Sequence, residues 1–241
     1  MTTPSSRSDR LRALDGAASA ILALTAPVFA HLRHMTEAAR TMRLAEATAT
    51  GLLPASDLAL LERVSVEAIK GAELITGAGM AAISAQHPDA GVMNWWILRG
   101  SDVTSKRHIL NPHSDSYYDF SHSRWFQVPT DRGAPTLIAP YVDSWGTDDL
   151  TITAAIPLSA DSFEITTILA ADLDARAYVR AVEEILRPAA PAALVDSENR
   201  AVASTIPEME TGVRLSTVQS WTVDHRVELV ELGWSLALMA T

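Results

Sequence analysis

From Leu11 to Met42 apolar side chains recur every third or fourth residue: Leu11, Leu14, Ala18, Ile21, Thr25, Val28, Leu32, Met35, Ala39 and Met42. That period places them on one stripe of a long amphipathic helix with a near-heptad seam. A chain that begins with such a helix must cover the stripe, with its own later elements or with a second protein. The most apolar part, Ala17 to Leu32, follows Arg7, Arg10 and Arg12, as a signal-peptide core would. Asp15 interrupts that arrangement, and the apolar stretch is short and rich in alanine. It also falls below the roughly 20 residues a membrane span needs. Pro27 is expected to kink the helix or split it.

The rest of the chain changes character twice. Residues 1–8 form a polar tail and 9–48 read as helix. Gly51 and Pro54 punctuate, and Ser56 is the expected N-cap of a second helix, Asp57 to Thr76. Gly77 to His87 reads as a short third helix. After Pro88 the pattern turns to β-branched runs separated by turns: Val92–Leu98 with a partner at Arg107–Leu110, then Thr136–Asp143, Asp149–Leu158 and Glu164–Leu173. Asp174 caps a helix, Ala175–Leu186, which Pro188 and Pro191 end. A smaller strand set follows, with a hairpin turning at Glu198-Asn199. The expected fold is α+β: long N-terminal helices, an antiparallel sheet of about five strands, a linking helix and a short sheet of about four. The expected divisions are a helical region 1–88, a ligand-binding lobe 89–176, and a linking helix with a second lobe 177–241.

Charge narrows the function. With 29 acids against 19 bases the formal net charge is −10, which argues against nucleic acid and anionic lipid as partners. Without cysteine, disulfides and thiolate metal sites are excluded. No nucleotide-binding glycine loop, nucleophile elbow or triad spacing is present, and Asp148-Asp149 reads as a polar turn. An enzyme is not expected, nor a cofactor. His108, His113 and His122 with Asp115 and Asp119 contain metal-ligating groups, but their spacing fits no helical ligand pair. The other histidines, His31, His34, His87 and His225, read as surface residues.

The stretch Tyr117–Phe126, YYDFSHSRWF, is far more aromatic than the chain's 6%. Tyr118 precedes Trp125 by seven residues; Tyr141 follows it by sixteen and Asp143 by eighteen, and Asp172 lies two strands further on. Singly, each residue reads as core, turn or cap. Their joint spacing resembles the double Cache (PAS-like) sensor domains, in particular the amino-acid-binding branch. That resemblance covers nearly the whole chain. It implies a long N-terminal helix, a membrane-distal ligand-binding lobe over Asp89–Asp174 and a smaller lobe over Ala192–Thr241. It also implies a ligand site of Tyr118, Trp125, Phe126, Tyr141, Asp143 and Asp172, with Ser123 where the branch carries its carboxylate-binding arginine. Arg124 is adjacent, but on a strand it faces the other way.

Aromatic faces and two carboxylates suit a cation: an ammonium over an aromatic ring gains about 1–2 kcal/mol when desolvated, and a charge-assisted bond to Asp adds roughly 1.5–3. Without an arginine at position 123, an amine lacking a carboxylate is the expected ligand. Asp115 and one of Trp95 or Trp96 are further candidates, and strand alternation puts the two tryptophans on opposite faces. The expected function is a non-enzymatic sensor of a small amine, relayed through a partner regulator or a homodimer along the first helix. Alternatives are a solute-scavenging protein, an amino-acid sensor, a carboxylate sensor using Arg124, or a purine sensor stacking on Trp125. The chain reads as free-standing and cytoplasmic, with an excised extracytoplasmic sensor domain as the alternative.

Overall fold

The computed structural model describes residues 6–143, 149–158 and 164–240. The expected turn at Asp148 lies outside them. One helix, α1 (Arg7–Ala39), runs 33 residues with Pro27 inside it, so the proline does not end the helix. The division into two compact units nevertheless falls there: one unit is Met1–Ala26 with Ala175–Thr241, the other Pro27–Asp174. The stripe residues Leu14, Ala18, Ile21, Thr25, Val28, Leu32, Met35, Ala39 and Met42 are all buried. By length and composition α1 is also apolar enough to cross a membrane, contrary to the reading of its apolar stretch as too short.

In the unit Pro27–Asp174, α2 (Leu44–Thr50) and α3 (Ala55–Gly71) follow α1. The α3 start differs from expectation. Ser56 lies inside the helix and Pro54 precedes it. Asp57, in the first turn of α3, accepts the Arg43 backbone N–H at 2.9 Å and its guanidinium Nε at 3.3 Å, tying the residue that precedes α2 to the start of α3. α1 crosses α3 where His31 lies over Gly71 and His34 approaches Glu67 at 3.6 Å. The seam residues of this stretch, Leu32 and Met35, are fully buried within the chain.

A six-stranded antiparallel sheet follows, built from β1 (Ile75–Ser84), β2 (His87–Arg99), β3 (Asp102–Lys106), β4 (Thr136–Val142), β5 (Leu150–Pro157) and β6 (Ile165–Asp174). Its order is β3-β2-β1-β6-β5-β4. The segment expected as a third helix is therefore β1, at the sheet's centre, pairing with β2 on one side and β6 on the other. The partner of β2 is β3, after a turn at Gly100 with φ 62°, and not Arg107–Leu110. The glycines that disguised β1 have a role in it. A Cβ on Gly79 would collide with the Asn94 carbonyl oxygen and come within 2.7 Å of the Trp95 ring, and one on Gly77 would lie 3.0 Å from the Trp95 indole nitrogen.

Strand alternation sorts the two tryptophans. Trp95 joins a buried cluster with Ala81, Tyr118, Phe120, Trp125, Phe126, Ile138, Ala155 and Ala170; Trp96 is buried and points to the opposite face. The cluster is rings on small residues: glycine and alanine across β1, β5 and β6 leave the volume that the aromatics fill. Its cover is α4 (Arg124–Arg132). Trp125 and Phe126 therefore sit on a helix and not on the strand assumed in the sequence reading. Successive helical side chains are only about 100° apart, so both are buried while Arg124 is exposed.

In the other unit, α5 (Ala175–Leu186) occupies its expected span. β7 (Ala192–Val195), β8 (Ala201–Ser204), β9 (Thr222–Leu229) and β10 (Trp234–Ala240) form a four-stranded sheet in the order β8-β7-β10-β9. The β7–β8 hairpin turns at Asn199 in the left-handed region, φ 57°, where Asn is among the few tolerated residues. Arg7 of α1 pairs with Asp224 of β9 at 2.9 Å.

Gly79→Ala is expected to lower stability by about 1–3 kcal/mol, because the added methyl must displace backbone as well as a ring. Chemical denaturation measures it; an unchanged midpoint would show that β1 and β2 yield freely.

Candidate functional site

Met93, Trp95, His108, Tyr118, Trp125, Tyr141, Asp143 and Asp172 line one small cavity on the aromatic side of the six-stranded sheet. Six stretches of chain supply them: β2, the loop after β3, the segment leading into α4, α4 itself, the end of β4 with the residue after it, and β6. The cavity measures about 20 Å³, room for about one water molecule.

The aromatic wall is locked by hydrogen bonds. The Trp125 indole N–H donates to the Tyr118 hydroxyl at 3.0 Å, and that hydroxyl lies 3.3 Å from Ser123 Oγ. Ser123 precedes α4 in extended conformation, and its side chain makes no cap bond to the helix. Trp95 and Trp125 have ring centroids 5.8 Å apart, tilted by 52°. The turn before α4 is held by Asp119, which accepts from Ser121 N–H at 3.1 Å and meets His122 Nδ1 at 2.6 Å.

The acidic wall is a relay. Thr153 Oγ1 donates to Asp172 Oδ1 at 2.8 Å. Its only proton is then committed, so the Tyr141 hydroxyl, 2.8 Å away, donates to Thr153. The Trp95 indole N–H also donates to the Asp172 carboxylate. Burial and the nearby Asp143 charge push Asp172 up to about 7, against the pull of these two donors. Burial, helped by the same carboxylates, raises Tyr118 and Tyr141, so both stay protonated. Burial and Lys106 hold His108 down to about 4, so it is neutral. Among the described residues its Nδ1 is buried without a hydrogen-bond partner, and its ring lies 5.2 Å from that of Tyr118.

Of the residues singled out from the sequence, Tyr118, Trp125, Tyr141, Asp143 and Asp172 meet at the cavity. Phe126 is buried behind it, stacked edge-on against Trp125 at 5.9 Å, and Ser123 touches it only through Tyr118. Asp115 does not reach it and is exposed. Met93 and His108 were missed as wall residues. Alternation from Trp95 would have given Met93; His108 carries no local signal, because it comes from an irregular loop. The three histidines considered for metal are dispersed: His108 faces the cavity, His122 pairs with Asp119, and His113 is exposed. Among the described residues no three His, Asp or Glu side chains cluster as a metal site.

The fold is that of the double Cache ligand-binding domains. The chain is similar to the ligand-binding domain of the Pseudomonas aeruginosa amino-acid chemoreceptor PctB, solved with L-Gln: 16% identity, TM-score 0.59, covering 95% of this chain and 88% of that one. It is also similar to the ligand-binding domain of PctC from the same organism, solved with GABA, at 12% identity and TM-score 0.53 over 93% and 96% of the two chains. A third is a methyl-accepting chemotaxis protein, at 14% identity and TM-score 0.56 over 98% and 99%. No protein-family model matches the sequence, and no curated protein matches it.

The raised Asp172 carries a stability consequence. Its folded pKa of about 7 exceeds the ordinary carboxylate value of 3.8. The folded state therefore binds more protons across that window, and stability contributed by this group falls as pH rises from about 4 to 7. Asp172→Asn removes the charge and retains an acceptor for Thr153. It is expected to stabilise the ligand-free protein at pH 8 by on the order of 2 kcal/mol, and to do little at pH 4. Urea melts at the two pH values measure it; equal effects at both would show that Asp172 titrates normally.

Proposed function

We propose that the chain is a non-enzymatic sensor domain that binds a small organic amine in this cavity and relays its occupancy to a signalling partner. The observation that carries the reading is the charge of the wall. Two carboxylates, Asp143 and Asp172, converge on an aromatic-lined space whose described lining includes no lysine or arginine. An ammonium placed there gains the ring faces and two acceptors together. It also relieves the repulsion that raises Asp172. A ligand carboxylate would find no cation to meet it, and neutral His108 supplies none. The ligands with which the similar domains were solved, L-Gln and GABA, each carry an ammonium, which supports the class; the missing cation is what separates this chain's ligand from an amino acid.

In the present closed state only an ammonium-sized group fits. Larger amines enter with displacement of wall side chains, of which Met93 has the most freedom. The seam of α1 is occupied by the chain's own packing, so the relay runs through changes in that packing or through a partner on the exposed side of α1, and not through a free heptad face. By its likeness to receptor sensor domains, one of them an extracellular histidine-kinase domain, we adopt the extracytoplasmic placement over the free-standing cytoplasmic one.

A thermal-shift screen tests the ligand class. At a hundredfold excess over the dissociation constant a primary alkylamine should add about 2.7 kcal/mol, a shift of a few degrees that disappears in Asp143→Ala. Amino acids outperforming their decarboxylated analogues would sink the amine reading.

Calorimetry tests the proton linkage. An ammonium needs Asp172 ionised, and Asp143, Tyr118, Tyr141 and His108 are the other titratable groups facing the space. Affinity should be constant above pH 7.5 and fall by about tenfold per unit once pH drops well below the Asp172 pKa of about 7, with proton release on binding near pH 6.5. Affinity that ignores pH would remove Asp172 from ligand contact.

A further inference from the structure

The smaller unit holds a second cavity, of about 430 Å³, lined by residues from the β7–β8 hairpin, the segment Arg214–Trp221, and strands β9 and β10. That volume lies in the range of small-molecule sites. Its chemistry is opposite to that of the first. Arg226, on β9 and half-buried, is held by two neutral acceptors: Ser235 Oγ at 2.7 Å and Asn199 Oδ1 at 2.9 Å. Among the described residues no carboxylate lies within ion-pair distance of it. A second guanidinium on the wall, Arg214, stands 3.8 Å from Glu198, and that same carboxylate oxygen is already approached by Arg200 at 3.4 Å. Two guanidiniums thus share one carboxylate, and the third, Arg226, meets none, in a chain whose net charge is −10.

The scaffold under Arg226 is specific. Asn199 adopts φ 57°, at the turn where Asp196 Oδ1 accepts the backbone N–H groups of Glu198 and Arg200 at 2.8 and 2.9 Å. The turn holds the amide oxygen where it fixes the guanidinium, and leaves further N–H groups of the fork to face the cavity. Trp221, Leu215 and Met239 supply the apolar part of the wall, and all three pack in the buried cluster of the small sheet.

We propose that this cavity is a second ligand site, independent of the amine cavity, for a small monocarboxylate with an apolar or aromatic body. The carboxylate meets the fork of Arg226, with Arg214 as the second cation. The body lies against Trp221 and Met239. Planar, bidentate pairing is what a fixed guanidinium offers a carboxylate. The apolar floor disfavours a free phosphate, which has nothing to place there.

The test uses the whole chain and benzoate as probe, followed by calorimetry and by the indole N–H resonance of Trp221, assigned through Trp221→Phe. Benzoate is expected to bind with saturation and to shift that resonance, while benzamide and inorganic phosphate do not. Arg226→Gln should weaken binding about tenfold or more, through loss of the charge-assisted bonds, and Arg214→Gln, at a more exposed wall position, by a smaller factor. Thermal melts establish that each variant is folded. Asp172→Asn should leave benzoate binding unchanged, which separates this site from the amine cavity. Failure of benzoate to saturate, equal binding by folded Arg226→Gln and Arg214→Gln, preference for phosphate, or loss of binding in Asp172→Asn would each overturn the proposal.

Discussion

The Trp95 ring lies in space that β1 leaves empty, and the cavity is arranged around that ring. Gly79 has no room for a methyl between the Asn94 carbonyl and the ring, and Gly77 sits beside both the indole nitrogen and Asp172. With the ring held against the sheet, its N–H reaches the Asp172 carboxylate and its face meets Trp125. Trp125 in turn donates to Tyr118, which fixes the chain entering α4. Two glycines in a central strand, a conformational cost in the unfolded balance, thus position residues from four other parts of the chain.

The same arrangement keeps two carboxylates close together where water is scarce. An ordinary core would not retain this: a half-buried acid pushed up to about 7 is a net destabilising group at neutral pH, and Thr153 and Trp95 offset only part of it. Structures hold such strain where something later relieves it. The cation proposed for the site would do so directly, which would make binding and local stability two readings of one electrostatic quantity.

Much of this was legible in the sequence, for identifiable reasons. β4, β5, β6 and α5 were found because their β-branched runs and caps are local signals. The spacing of Tyr118, Trp125, Tyr141, Asp143 and Asp172 was legible because each residue type is uncommon in its local setting. β1 was hidden because its glycines and alanines, needed for ring contact, carry no strand propensity. α4 was hidden because Trp125-Phe126 has the aromatic character of a strand, while its helicity comes from docking over the sheet. The exclusion of Arg124 illustrates the limit well: the strand alternation used to exclude it does not apply, yet helical geometry also leaves it in solvent. Asn199 was legible as a hairpin turn and His108 as a polar loop residue, but neither the hold of Asn199 on Arg226 nor the place of His108 on the cavity wall was, since each depends on where an irregular loop or a tight turn returns to the sheet.

The proposed exchange of a proton for an ammonium at Asp172 would have one more consequence, for selectivity. A carboxylate poised near neutrality gains most from a ligand that arrives already charged and keeps its proton on burial. Alkylamines have proton affinities like that of lysine, about 10.4 on the pKa scale, and carry the charge into the site at little cost. Weakly basic amines reach the cavity neutral and would have to take the proton from Asp172 itself, an unfavourable transfer into a ring-lined space. On the proposed reading the cavity would therefore discriminate by basicity as well as by shape. The acid that weakens the empty fold is the one that would set that discrimination.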